Sequence, residues 1–214
     1  MKGLFITFEG TEGGGKTTQI ALLAERLRAA GRSVRILREP GGTPIGEEIR
    51  HTLKHSANNE AMVPEAELLL MNASRAQLVR EVIRPALREC EIVLCDRFYD
   101  SSTAYQGYGR ELDLVQVKSI IEFAVGPTRP DLTLLLHVPL SISEARRQSR
   151  EASGTPVRDR IEGAGRKFFE RVERGFEAIA KGDPERVKWI DATGSPEEVR
   201  AAVWAQVQPL LQAK

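Results

Sequence analysis

Residues 10–17 read Gly10-Thr11-Glu12-Gly13-Gly14-Gly15-Lys16-Thr17 and follow directly on the apolar run Leu4-Phe5-Ile6-Thr7-Phe8. Gly, four intervening residues, Gly, Lys and Thr is the spacing of a loop that cradles phosphate. Glycines admit φ above zero and let backbone N–H groups close on phosphate oxygens. Lys16 supplies charge against the β- and γ-phosphates, and Thr17 a hydroxyl for Mg²⁺. From Thr18 to Ala30, Ile20, Leu22, Leu23 and Leu27 recur at helical spacing, so the loop opens a helix whose positive end faces the anion. Strand, loop and helix stand in the required order, which favours nucleotide binding by residues 10–18 over a mere glycine-rich turn.

The 214 residues suit one domain with a substantial core, and 31 Lys plus Arg against 30 Asp plus Glu leave a net charge of +1. No bulk field favours nucleic acid or an anionic membrane, so any phosphate site must be built from particular arginines. Two cysteines, Cys90 and Cys95, make no disulfide framework, and Cys95 sits in the apolar run Ile92-Val93-Leu94 as a small hydrophobe. His51 and His55 have the spacing of helical zinc ligands but no acid beside the first, so a solvated helix face is the better account. The first apolar run is too short for a signal peptide, and none spans a bilayer; a soluble cytoplasmic protein is expected.

Beyond the first helix, Ser33–Leu37 reads as a second strand that delivers Arg38 and Glu39 into a loop made by Pro40-Gly41-Gly42. Ligands bind at that edge of an open α/β sheet, although a solvated strand-end charge explains Arg38 equally well. Pro64 to Leu87 is a long helix, with Arg75 at its centre and Pro85 kinking or ending it. Ile92–Arg97 is a buried strand closing on Asp96, well placed to orient the water shell of Mg²⁺. Phe98 to Arg110, with three tyrosines, reads as a compact loop that either recognises a flat ligand or caps the next helix. Leu132–Val138 and Val187–Asp191 complete five strands, and Ser195-Pro196-Glu197-Glu198 is a capping box. Arginines at 146, 147, 150, 158 and 160 flank Ser153-Gly154-Thr155-Pro156, a pattern of either a mobile flap or solvated helix faces. The fold expected is a doubly wound, five-stranded parallel α/β sheet with helices on both faces.

With the phosphate loop, Arg38-Glu39-Pro40-Gly41-Gly42-Thr43 and Asp96-Arg97-Phe98-Tyr99-Asp100-Ser101-Ser102-Thr103-Ala104-Tyr105-Gln106-Gly107 in view, the chain closely resembles bacterial-type thymidylate kinases over nearly its whole length. That resemblance implies transfer of the ATP γ-phosphoryl to dTMP with Mg²⁺ in dTTP synthesis, one domain with a lid near 146–160, and a homodimer. Lys16 and Thr17 would hold ATP and metal, Asp96 would act through the metal's waters, and Arg38 and Arg97 would clamp the dTMP phosphate. Glu12 would meet the sugar 3′-hydroxyl, Tyr105 would crowd a 2′-hydroxyl, and Arg75 would bond a thymine carbonyl, with Ser102 and Gln106 at the base edge. Glu39-Pro40 resembles a cis bond of the family, and Arg50 joins the dTMP set. The loop carries Gly13 where some members have Arg, so the transition-state arginine must come from Arg147, Arg150 or Arg158. Met71 and Asn72 stand where many members stack an aromatic ring on thymine.

Two other functions fit a phosphate loop. A regulatory GTPase needs an Asn/Thr-Lys-x-Asp guanine reader, and Ala180-Lys181-Gly182-Asp183 lacks it; its Asp-x-x-Gly switch would also have to precede, whereas Asp191-Ala192-Thr193-Gly194 follows. A kinase for another nucleoside monophosphate is the nearer alternative.

Overall fold

The apolar runs form strands β1 (Leu4–Glu9), β2 (Val34–Arg38), β3 (Ile92–Asp96), β4 (Leu132–His137) and β5 (Val187–Asp191). In the computed structural model, which describes residues 3–56, 58–89, 91–152, 161 and 164–212, they pair in parallel in the order β2-β3-β1-β4-β5. β1, β3 and β4 are buried on both faces, as their near-continuous hydrophobicity requires, whereas β2 and β5 are the partly exposed edges.

Helices cover both faces. Side chains alternate along β1, so Leu4, Ile6 and Phe8 pack with α1 (Lys16–Ala29) and α9 (Pro196–Gln212), while Phe5 turns to the other side. That side is closed by α3 (Pro64–Leu78) and α6 (Leu114–Val125) through Leu68, Leu78, Val117 and Ile121. A third cluster gathers Phe168, Phe169, Val172 and Phe176 of α8 (Arg166–Gly182) around Tyr105 and Leu135. At the β5 edge Trp189 is 41% exposed and its ring lies 4.5 Å from that of His137; Trp204 of α9 lies beneath the Arg26 guanidinium.

Several local expectations are corrected. β2 runs through residue 38, so Arg38 ends a strand, opposite Asp96, instead of opening a loop. The long helix widens into a π-helical turn at Val79–Ile83 before α4 (Arg84–Arg88); the ring of Pro85, which has no N–H to donate, falls in the first turn of α4. The segment after Arg97 is helical: α5 (Tyr99–Ser102) runs into a π-helical turn, Thr103–Gly109. Glycine permits that turn to lie against its neighbours, since a Cβ on Gly109 would fall 2.7 Å from the Phe168 ring. α2 (Pro44–His55) is capped by Thr43, whose hydroxyl accepts from Gly46 N, and the expected box at Ser195 and Glu198 closes at 3.3 Å and 2.7 Å. α7 (Leu140–Ala152) carries Arg147 and Arg150, whose side chains lie outside the described residues, as do Cys90 and positions 153–160, Arg158 among them.

Candidate active site

Because every strand is parallel, the carboxyl ends of β1, β2 and β3 bring Glu9, Arg38 and Asp96 to one edge of the sheet. Gly10, Gly13 and Gly15 there have φ of 120°, 78° and 83°, a backbone closed to most side chains. Lys16, first residue of α1, folds back over the loop and donates to Gly10 O at 3.1 Å and Thr11 O at 2.9 Å. Burial, with Arg97 nearby, lowers its ammonium to about 8. The Thr17 hydroxyl donates to Asp96 Oδ2 at 3.2 Å, so the two expected metal ligands converge. Their hard oxygens and the open cleft they share with Lys16 and Thr18 fit Mg²⁺. His51 and His55 lie 5.9 Å apart on α2, and no cluster of three metal-ligating side chains occurs among the described residues.

Arg97 has φ of 70°, a left-handed conformation uncommon outside glycine. It is locked there. Its N–H donates to Phe8 O at 2.9 Å, and the next N–H, of Phe98, donates to Glu9 Oε1 at 2.8 Å. Its guanidinium then turns back to Gly10 O and Ser101 Oγ, both at 3.0 Å, and to Glu12 Oε1 at 2.5 Å. Tyr105 completes the group by donating to Glu12 Oε2 at 2.9 Å. Burial works to raise the Glu12 carboxyl, but Arg97, Lys16 and the tyrosine outweigh it and hold it at about 2. Glu9, also buried and beside Asp100, is pushed up to about 7.

Next to this group lies a half-open cavity. Glu12 and Arg97 form one wall; Glu39, Pro40, Met71, Arg75, Ser102, Tyr105 and Gln106, all expected from the sequence, form the remainder together with Lys54, Ser101 and Ile161. The Glu39–Pro40 bond is cis. Arg75, which a mid-helix position would place at the surface, is 2% exposed. Its Nε donates to Glu39 Oε2 at 2.8 Å, Nη1 to Asn72 Oδ1 and Ser102 Oγ, and Nη2 to Phe98 O. With its donors directed at protein acceptors, Arg75 meets a base carbonyl only by sharing one. Asn72, the other residue at the expected stacking position, is committed to Arg75, and the nearby Phe98 ring to that of Phe5, which leaves Met71 on the wall.

Arg38 and Arg50 both donate to Pro40 O, at 3.1 Å and 2.9 Å; Arg38 also pairs with Glu47 at the half-exposed rim, while Arg50 lines the cleft beside Lys16. Gly13 is pressed by α7: a Cβ there would lie 3.2 Å from Ser143 O and 3.3 Å from Arg146 Cβ. Ser143 donates to Glu12 O and Arg146 to Gly13 O, which ties α7 to the loop. Lys54 was not anticipated, although its place four residues after Arg50 puts both on one face of α2.

A family model described as thymidylate kinase matches residues 8–203, which include the phosphate loop, the cis-proline motif and Asp96-Arg97. The chain belongs to the thymidylate kinase family. It is 50% identical over 208 residues to a thymidylate kinase of Thermomicrobium roseum, covering 97% of this chain and 96% of that one. Against a thymidylate kinase of Syntrophotalea carbinolica it is 49% identical over 201 residues, 94% and 93% of the two chains. The crystal structure of thymidylate kinase from Ehrlichia chaffeensis superposes with a TM-score of 0.78 at 32% identity, covering 97% of this chain and all of that one. Membership of the thymidylate kinase family replaces the GTPase alternative, and no helix among the described residues is long and apolar enough to cross a membrane.

Proposed function

We propose that this chain transfers the γ-phosphoryl group of ATP to dTMP, giving dTDP and ADP, a Mg²⁺-dependent step in dTTP synthesis. The observation that carries this is the Glu12–Arg97 pair, which joins a phosphate loop to a cavity lined by Met71, Arg75, Tyr105 and Gln106. A phosphate oxygen of dTMP attacks the γ-phosphorus, the bond to the bridging oxygen of ADP breaks, and the charge spreads over the three equatorial oxygens. Lys16 and the loop N–H groups meet the donor phosphates, and Arg97 orients the acceptor phosphate, with Arg50 in the cleft beside Lys16 and Arg38 at the rim. Thr17 and Asp96 would hold Mg²⁺, which supplies neutralisation of the β/γ charge. Arg147, Arg150 and Arg158, in a lid near 146–160 of a single domain, would supply the arginine that Gly13 leaves out of the loop. A homodimer accords with the exposed Val63, which precedes α3, Leu69 of α3, and Val115 and Phe123 of α6, two helices packed side by side.

The test is ADP release with dTMP, dUMP, AMP, CMP and GMP as acceptors. Turnover is expected to be fastest with dTMP, lower with dUMP and near background with the other three. Faster turnover of AMP, CMP or GMP than of dTMP overturns the assignment.

A further inference from the structure

Gln106 stands on the π-helical turn, 2% exposed, and faces the acceptor cavity. Its Nε2 donates to Glu67 Oε1 at 2.8 Å. Glu67, in the first turn of α3 and 1% exposed, also receives both Nε and Nη2 of Arg110, at 3.2 Å and 3.0 Å. A carboxylate only accepts hydrogen bonds and a guanidinium only donates them, whereas an amide does either according to which way it is turned. With Glu67 bridged by Arg110, the Gln106 amide has one permitted orientation. The reverse one would set a carbonyl oxygen against a carboxylate oxygen in a dry site. Gln106 Oε1 is therefore turned away from Glu67, and it is not among the buried oxygens sealed without a partner.

We infer that Glu67, braced by Arg110, is a positioning residue that turns the Gln106 carbonyl toward the cavity, so that the site selects a pyrimidine bearing N–H at ring position 3. This rests on the cavity being the dTMP site. Thymine and uracil present a donor at that position, while cytosine presents a lone pair that would face the Gln106 oxygen, unpaired and out of water. Glu67 does not reach the nucleotide. It acts through the amide, and its carboxylate is what forbids the flip.

Glu67→Gln tests the idea without changing shape. The new side chain gives its oxygen to Arg110 and its NH₂ to Gln106, which then turns over and offers NH₂ to the cavity. The ratio of kcat/KM for dTMP to that for dCMP is expected to fall at least about 10-fold, with KM rising for dTMP and falling for dCMP. A merely structural role for Glu67 would lower both acceptors by one factor; an unchanged ratio overturns the inference. Gln106→Met should lower the ratio as well, and adding Glu67→Gln to it should change nothing further, since the amide is gone. If Glu67→Gln does not fold, Gln106→Met decides: a fall supports the inference and an unchanged ratio overturns it. Failure of the underlying assignment reads differently, because wild-type enzyme would then not prefer dTMP at all.

Discussion

Glu12 Oε1 and Arg97 Nη2 meet at 2.5 Å, although 85 residues separate them in the chain. One carboxylate thus fixes the phosphate loop to the residue that follows Asp96, the partner of the Thr17 hydroxyl. By contrast, Arg38 is half-exposed and engaged with Glu47. Removing one preorganised donor from a developing charge costs about 10²–10³ in rate, so Arg97→Ala should lower kcat/KM for dTMP by about that factor and Arg38→Ala by less than about 10. Steady-state kinetics check this, and equal losses would contradict the ranking.

The lid arginines should affect turnover and not acceptor binding. Arginines supplied to a phosphoryl in flight are worth about 10³–10⁵ in kcat. Among Arg147→Ala, Arg150→Ala and Arg158→Ala, at least one should lose kcat on that scale while titration calorimetry shows dTMP affinity nearly intact. Near-normal kcat in all three would rule out a lid arginine.

Arg75 and Glu39 are a buried pair, 2.7 Å apart, with side chains 2% and 3% exposed. Breaking such a pair from one side costs about 3–5 kcal/mol, whereas replacing both partners is far milder. Arg75→Met should accordingly destabilise by about 3–5 kcal/mol, and adding Glu39→Leu should recover part of that loss. Chemical denaturation of the three proteins measures it, and additive losses would show that the pair is not the unit.

Glu9 is driven by burial from its ordinary 4.5 to about 7, so between those values the folded state binds a proton that the unfolded chain does not. The sign follows: this contribution is full below about 4.5 and is lost as pH rises through about 7. Relative to Glu9→Gln, wild-type stability should fall from pH 5 to pH 8 with a slope of at most about 1.4 kcal/mol per pH unit. Parallel stability curves for the two proteins would dismiss the titration.

Met71 faces the cavity where Asn72 and Phe98 are otherwise engaged. A sulfur–aromatic contact is worth about 0.3–1.5 kcal/mol and base–aromatic stacking about 1–3 kcal/mol. Met71→Phe should then tighten dTMP a few-fold with little change in kcat. Weaker binding together with a lowered melting temperature would mean that the ring overpacks the helix.

What was legible in the sequence was local or periodic. Gly10 to Thr17 carry their geometry in their own backbone, and β1, β3 and β4 announce themselves as buried runs. The Ser195 cap needs only its neighbour Glu198. Arg75 was legible as a site residue only through resemblance, because nothing beside it tells that Glu39, Asn72, Ser102 and Phe98 will enclose it. Glu67 and Gln106 stand 39 residues apart, and their encounter depends on a π-helical turn with no sequence period of its own. α8 carries a plain apolar stripe in Phe168, Val172 and Phe176, but nothing beside it in the sequence tells that it closes on Tyr105 and Leu135.

Neither tryptophan lines the cavity that Tyr105 and Met71 line: Trp189 lies in β5 against His137, and Trp204 lies on α9 beneath Arg26. Trp189 rests on His137 and borders a small recess whose far wall is Gly10 and Thr11, the first residues of the phosphate loop. Aromatic side chains are thus spatially sorted: the Trp189 indole looks onto the start of the phosphate loop, and only a phenol, that of Tyr105, looks onto the cavity. Excitation at the red edge of protein absorbance, where tyrosine is dark, would therefore report on the loop side of the molecule and leave the Tyr105 side silent.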